Sequence, residues 1–146
     1  MSTASRSTGR LAVVHEIRIK VRWRDMDAYG HVNNAVYLNY LEECRDAWAQ
    51  SVLGGVADVW DFVLAHVGID FRSQLTQDDG EIAVRCRLDS FGRSSVRTRE
   101  QILRADGTLS AEAESVIVPR AADAPRSRPL TDAERAILQR ELDAGG

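Results

Sequence analysis

Between His15 and Asn34 the hydrophobic pattern changes its period, and that switch restricts what the chain can fold into. His15, Ile17, Ile19, Val21 and Trp23 alternate with Glu16, Arg18, Lys20, Arg22 and Arg24. Period two over this length predicts an antiparallel strand with one face buried. Asp25 to Asn33 breaks the alternation with polar residues and Gly30. From Asn34 the period becomes 3.6. Val36, Tyr37, Tyr40, Leu41, Cys44, Ala47, Trp48 and Val52 make one apolar stripe, with Asn39, Glu43, Asp46 and Gln50 opposite. Asn33 or Asn34 is a competent N-cap, and Gly54 with Gly55 supplies the stop. A helix of about 20 residues spans roughly 30 Å and needs a sheet to cover its apolar face.

Four more strands are expected downstream. Val67, Ile69 and Phe71 mark the first, and Ile82, Val84, Cys86 and Leu88 the second. The third runs from about Ser94 to Leu103 and the fourth from Leu109 to Val118. Ala105-Asp106-Gly107 joins the last two as a tight hairpin, because Asp-Gly accepts positive φ at low cost. Thr131 and Glu134 form a capping box for a short terminal helix reaching about Leu142. The expected fold class is α+β: a long central helix wrapped by a curved antiparallel five-stranded sheet, plus a short C-terminal helix. Residues 1–10 read as a disordered Ser/Thr/Gly/Arg-rich tail, 11–120 as the folded domain, and 121–146 as linker and C-terminal helix.

With 146 residues the chain suits one domain. A net charge of −3 leaves no basic field, so a nucleic-acid partner is not expected. The apolar patch Leu11 to Val14 is too short for a membrane span or a signal-peptide core. Cys44 and Cys86 stand far apart without metal or disulfide spacing, and read as free core thiols. A cytoplasmic location is expected from these features.

The residues able to do chemistry concentrate where the first strand ends and the long helix begins, Asp25 to Tyr37. A helix N-terminus carries unpaired N–H groups and a partial positive charge. Such donors can hold a developing oxyanion, with a carboxylate a few residues upstream facing the carbonyl carbon. Two readings of Asp27 and Asn33 stand side by side: chemistry of this kind, or plain capping of a turn and a helix. His31 and Tyr37 are likewise either site residues or packing residues. Asp25-x-Asp27-x-Tyr29-Gly30 imitates the opening of a calcium loop, but the twelfth position is Val36 where a bidentate Glu belongs. His31 has no His or Cys at zinc-ligand spacing, and His15 and His66 fall in strand patterns. No metal is expected. There is no Gly-x-Ser-x-Gly elbow for a serine nucleophile and no phosphate-binding glycine loop.

The run Asp25-Met26-Asp27-Ala28-Tyr29-Gly30-His31-Val32-Asn33-Asn34, followed by Tyr37 and Glu43, closely resembles the signature of the 4-hydroxybenzoyl-CoA thioesterase-like hotdog family. Ser90-Phe91-Gly92-Arg93-Ser94-Ser95 is similar to the Gly-[Arg/Lys]-Ser-Ser turn of that family, and the likeness covers Val14 to about Arg120. It implies a hotdog fold, a homodimer or homotetramer, and hydrolysis of an acyl-CoA. Coenzyme A is then part of the substrate, and no separate cofactor is implied. The second Asp of the pair, matching Asp27, is the implied catalytic carboxylate, as nucleophile or as base for water. Asn34 marks the implied carbonyl-polarising helix start. Gly30, His31, Asn33, Tyr37, Gly92, Arg93 and Ser94 are the implied substrate-binding residues, and Asp25 a structural acceptor.

Among basic residues for the coenzyme A phosphates, Arg72, Arg85, Arg87, Arg93, Arg97 and Arg99 compete with a plain solvated strand face. Arg93 is favoured by its turn. Plant acyl-carrier-protein thioesterases, a related branch, carry a similar His-Val-Asn-Asn run. Some place an Asn where this chain has Tyr29, which weighs against a carrier-protein substrate. The remaining alternatives are a dehydratase-type hotdog enzyme and a non-catalytic acyl-CoA-binding domain.

Overall fold

The computed structural model describes residues 14–123 and 125–145. The stretch 1–10, expected to be a disordered tail, lies outside the described residues. Five strands and two α-helices follow in the order β1 (His15–Lys20), α1 (Asn34–Leu53), β2 (Phe62–Phe71), β3 (Glu81–Phe91), β4 (Val96–Leu103), β5 (Leu109–Pro119) and α2 (Asp132–Gly145). All strands pair antiparallel in one sheet of order β1-β3-β4-β5-β2. The long helix against a single antiparallel sheet is the hotdog arrangement expected from the sequence.

Alternation along the strands decides what faces α1. Ile82, Val84, Cys86 and Leu88 of β3 are buried, as are Val96 and Ile102 of β4 and Ala111, Ala113 and Ile117 of β5. They meet Tyr37, Tyr40, Leu41, Cys44, Trp48 and Leu53 of α1 in one core. The opposite sheet face carries Arg85, Arg87, Arg99, Glu112 and Glu114, as a water-facing antiparallel sheet does. The β4–β5 hairpin turns at Gly107 with φ +88°, and the Thr108 amide donates to the Asp106 carboxylate at 2.9 Å.

Two features depart from the sequence expectation, and another lies outside it. The alternating pattern continues to Arg24, yet β1 stops at Lys20 and Trp23–Asp25 forms a 3-10 turn. The Val21 amide still donates to the Gly80 carbonyl, in register with the ladder, but the Gly80 amide turns to the Gln77 carbonyl and the ladder ends there. The Arg22 amide then turns onto the Asp25 carboxylate, which leaves Trp23 78% exposed rather than on the buried face. Second, Arg45, on the buried side of α1, reaches Glu100 of β4 inside the core.

Third, described residues of the stretch 121–129, expected to be a linker, bond back to the sheet. Arg128 donates its amide to Pro119 and Leu130 to Arg93. Leu130 and Leu138 join the same core as α1 and the sheet. The Thr131–Glu134 capping box forms as expected, at 2.8 and 3.1 Å.

Candidate active site

A miniature hairpin sets the approach to α1. The Asn33 amide donates to the Asp25 carbonyl (2.9 Å), Met26 bridges Val32, and the Asp27 amide donates to the His31 carbonyl (2.8 Å). The turn closes through the Gly30 amide on the Asp27 carbonyl, and Gly30 takes φ +84°, a conformation that L side chains rarely adopt. In this register Asp27 sits opposite His31, two steps beyond the Asp25–Asn33 rung and about 7 Å along the hairpin.

The two carboxylates of the pair have different surroundings. Asp25 is 3% exposed; its Oδ2 accepts the Tyr40 hydroxyl (2.7 Å) and the Arg22 amide (3.0 Å), and its Oδ1 the Arg22 guanidinium (3.2 Å). Burial pushes this carboxyl up, but the bonds from Arg22 and Tyr40 together outweigh it and hold the group below the ordinary carboxylate range. Asp27 is half-buried. Its Oδ1 accepts the Tyr29 amide (2.8 Å) and the His31 amide (3.3 Å). Its Oδ2 has no hydrogen-bond partner among the described residues. Asp25 therefore ties the loop to α1, while Asp27 leaves one oxygen without a partner among the described residues.

Asn33 is the N-cap, its side chain accepting the Ala35 amide at 2.9 Å. Asn34 is the first helical residue, and its amide has no partner among the described residues. The His31 imidazole is half-buried, with no hydrogen bond there either. Tyr37 is 2% exposed, with its ring edge-on to Phe71 and its hydroxyl taking the Leu75 amide (2.9 Å) beside Ser110. In the single chain the Tyr37 hydroxyl is therefore committed to holding the β2–β3 connection against the helix. Leu75, which no motif singles out, also accepts the Val32 amide and so locks the far side of the hairpin.

The structure does not bring the Gly92-Arg93-Ser94 turn to Asp27 within one chain. Lys20 pairs with Glu81 at one end of β3, and the turn follows Phe91 at the other. The 11 residues of β3 put about 33 Å between them. Of the six candidate arginines, Arg72, Arg85, Arg97 and Arg99 pair with carboxylates on the outer sheet face. Arg87 and Arg93 have no such partner among the described residues. A groove of about 900 Å³ on that outer face, lined by Glu16, Asp70, Arg85, Arg99 and Glu114 among others, does not touch Asp27. Its charged walls suit hydration rather than an acyl chain. No cluster of three His, Cys, Asp or Glu side chains suited to a metal ion occurs among the described residues, and no described helix is long and apolar enough to cross a membrane. Both thiols are free and buried, and burial pushes Cys44 up to about 12.

Residues 21–138 match the family model of the thioesterase-like superfamily. The chain belongs to that superfamily. The match runs past Arg120, where the sequence likeness was expected to fade, and takes in much of α2. Among superfamily relatives, the chain is 29% identical over 106 residues to the long-chain acyl-CoA thioesterase FadM of Escherichia coli, covering 67% of this chain and 76% of FadM. A shorter stretch of 46 residues is 46% identical to the acyl-acyl carrier protein thioesterase ATL2 of Arabidopsis thaliana, over 32% of this chain and 24% of that one. In three dimensions it resembles a thioesterase of Thermus thermophilus complexed with coenzyme A and Zn. There the TM-score is 0.76 and the identity 30%, over 88% of this chain and 94% of the other.

The contrast between the carboxylates has a measurable consequence. Asp25→Asn is expected to lower stability at neutral pH by about 1.5–3 kcal/mol, the range for hydrogen bonds to a charged group. Because the folded Asp25 titrates below its unfolded value, its contribution is present above the unfolded pKa and is lost as pH falls through the folded one. Melting curves of wild type and variant should therefore converge below about pH 4. A gap independent of pH would contradict this.

Proposed function

We propose that the protein hydrolyses acyl-coenzyme A thioesters, with Asp27 as nucleophile or general base and the amide donors at the start of α1, around Asn34, polarising the thioester carbonyl. The observation carrying this reading is the free Oδ2 of Asp27, presented by a carboxylate whose other oxygen is fixed by two amides. An uncommitted helix-start amide at Asn34 accompanies it. A thioester is an activated acyl group, so one carboxylate and a pair of donors suffice; losing one such donor typically costs about 2.7–4 kcal/mol. Gly30, His31 and Asn33 shape the loop around the thioester, and Gly92, Arg93 and Ser94 receive the coenzyme A. The resemblance to FadM and to a thioesterase complexed with coenzyme A supports coenzyme A as the acyl carrier. The local likeness to ATL2 favours a second reading, an acyl-carrier-protein substrate at the same Asp27.

Neither a metal nor a cofactor enters this mechanism. Thiol release from acyl-CoA is expected to continue unchanged after exhaustive chelation. Activity that vanishes and returns with a divalent ion would overturn it.

The complete site, in this reading, lies between two copies of the chain. β2 is ten residues long and, among the described residues, an edge of the sheet paired with β5 alone; such an edge calls for pairing or protection. Exposed apolar side chains accompany it: Trp60 and Leu64 near its start, Phe71 at its end. A two-fold pairing of β2 edges runs them antiparallel, so the start of one lies beside the end of the other. The Gly92-Arg93-Ser94 turn sits at the Phe62 end of the sheet and Asp27 at the Phe71 end. Pairing thus carries the turn of one copy to the Asp27 of the other. Mixing an Asp27→Asn chain with one disabled at Gly92 or Arg93, under subunit exchange, is expected to restore up to about a quarter of wild-type activity, since half the dimers then hold one intact site. No recovery despite proven exchange, or a monomer by light scattering, would contradict the shared site.

A further inference from the structure

We propose that the C-terminal segment, through Leu130 and Arg135, holds the Gly92-Arg93-Ser94 turn in the shape that receives the phosphate-bearing half of coenzyme A. This rests on the acyl-CoA reading above and gives α2 a part in it. The Gly92 carbonyl accepts the Arg135 guanidinium at 3.0 Å, and the Arg93 carbonyl accepts the Leu130 amide at 2.9 Å. Two successive carbonyls are therefore drawn to the same side, toward the C-terminal segment. No cis peptide bond occurs among the described residues, and in a trans peptide the C=O and N–H point in opposite directions. The N–H groups of Arg93 and Ser94 are thereby turned away from that segment. Neither amide, nor the Arg93 guanidinium, has a hydrogen-bond partner among the described residues. Adjacent free amides of this kind form an anion-binding concavity, here beside an unpaired positive charge.

The strut itself is anchored. The Arg135 guanidinium lies 5.3 Å from the centre of the Phe91 ring, which limits its rotamers. Leu138 is fully buried, and Glu134 takes Arg128 in a bidentate pair at 2.9 and 3.0 Å. Arg128 in turn lies over Phe62 at the start of β2. Without Arg135, the peptide after Gly92 loses its only carbonyl contact among the described residues and is free to rotate. Arg135 is thus a positioning residue, not one that touches substrate.

The test compares Arg135→Ala and Arg135→Lys with wild type, on an acyl-CoA and on the matching acyl-pantetheine, which lacks the phosphates. Arg135→Ala is expected to raise KM for acyl-CoA by about tenfold, equivalent to about 1.4 kcal/mol, with kcat little changed and KM for acyl-pantetheine unmoved. Arg135→Lys, which can still donate to the Gly92 carbonyl, should recover most of the loss. In amide NMR spectra, coenzyme A should shift the Arg93 and Ser94 signals of wild type and leave those of Arg135→Ala largely in place. An unmoved KM in folded Arg135→Ala, or an equal rise for both thioesters, would overturn the proposal, as would unshifted Arg93 and Ser94 amides in wild type. Shifts at those amides in a wild-type protein that releases no thiol would support the turn and overturn the hydrolytic reading instead.

Discussion

Asp27→Asn is expected to lower kcat for acyl-CoA hydrolysis by at least about 10²-fold while the fold survives. The substitution is chosen to separate the two jobs of this side chain. An asparagine Oδ1 can still accept the Tyr29 and His31 amides that the carboxylate now holds, so the turn at Gly30 and the start of α1 should persist. What it cannot do is take a proton from water or attack a thioester carbonyl. If Asp27 acts as base, the loss matches the range of general-base assistance; if it forms an acyl anhydride, the loss is larger. Kinetics on the folded variant, with a melting curve beside them, read the two jobs apart. Near-normal turnover would remove Asp27 from the mechanism. A pure kcat defect in Asp25→Asn, with no loss of stability, would mean that the two carboxylates have been assigned in the wrong order.

The largest effect on stability is expected at Glu100, far from that chemistry. Its carboxylate accepts the hydroxyls of Thr98 (2.7 Å) and Ser115 (2.8 Å), with the Arg45 guanidinium at 3.6 Å and the pair almost wholly buried. Arg45 also donates to Ser115 at 3.2 Å. Removing one member of a buried pair strands the other charge, which costs about 3–5 kcal/mol. Glu100→Ala should therefore lower Tm by roughly 6–20 °C for a chain of this size. The double variant Arg45→Met, Glu100→Leu should recover much of it, because well-packed apolar residues often replace a buried ion pair without loss. A Glu100→Ala protein melting near the wild-type temperature would show that the pair is hydrated rather than buried.

Residues of the same chain explain what was legible in the sequence and what was not. The period of the α1 stripe and the Asp-Gly hairpin are local signals, and each appears where expected. The Thr131–Glu134 box is read equally well, since all its partners lie within one turn. The end of β1 was not legible: the alternation through Trp23 is unbroken, and the strand stops only because the Gly80 amide turns to Gln77 and the Arg22 amide to the Asp25 carboxylate. The Arg45–Glu100 pair was illegible as a pair. Alternation puts Glu100 on the face of Val96 and Ile102, and Arg45 lies four residues after Leu41 on the buried side of α1, but a separation of 55 residues leaves their meeting to the fold. The likeness of the Asp27 run pointed to a candidate site, but the fate of its members depended on packing. Tyr37 is committed to Leu75, a contact across 38 residues that no spacing rule anticipates. The role of the 121–129 segment was hidden because Pro, Ala and Arg give no periodicity, although Arg128 and Leu130 bond back to the sheet and to the turn.

Thiol release across a panel of acyl-CoA thioesters, with an acyl-carrier-protein thioester and an enoyl-CoA alongside, tests the hydrolytic reading most directly. Free coenzyme A and the carboxylic acid should appear in equal amounts from at least one acyl-CoA, faster than from the carrier-protein thioester, with no hydration of the enoyl-CoA. Tight binding of acyl-CoA without thiol release would contradict hydrolysis, as would water addition to the enoyl-CoA double bond; faster cleavage of the carrier-protein thioester would contradict coenzyme A as the acyl carrier.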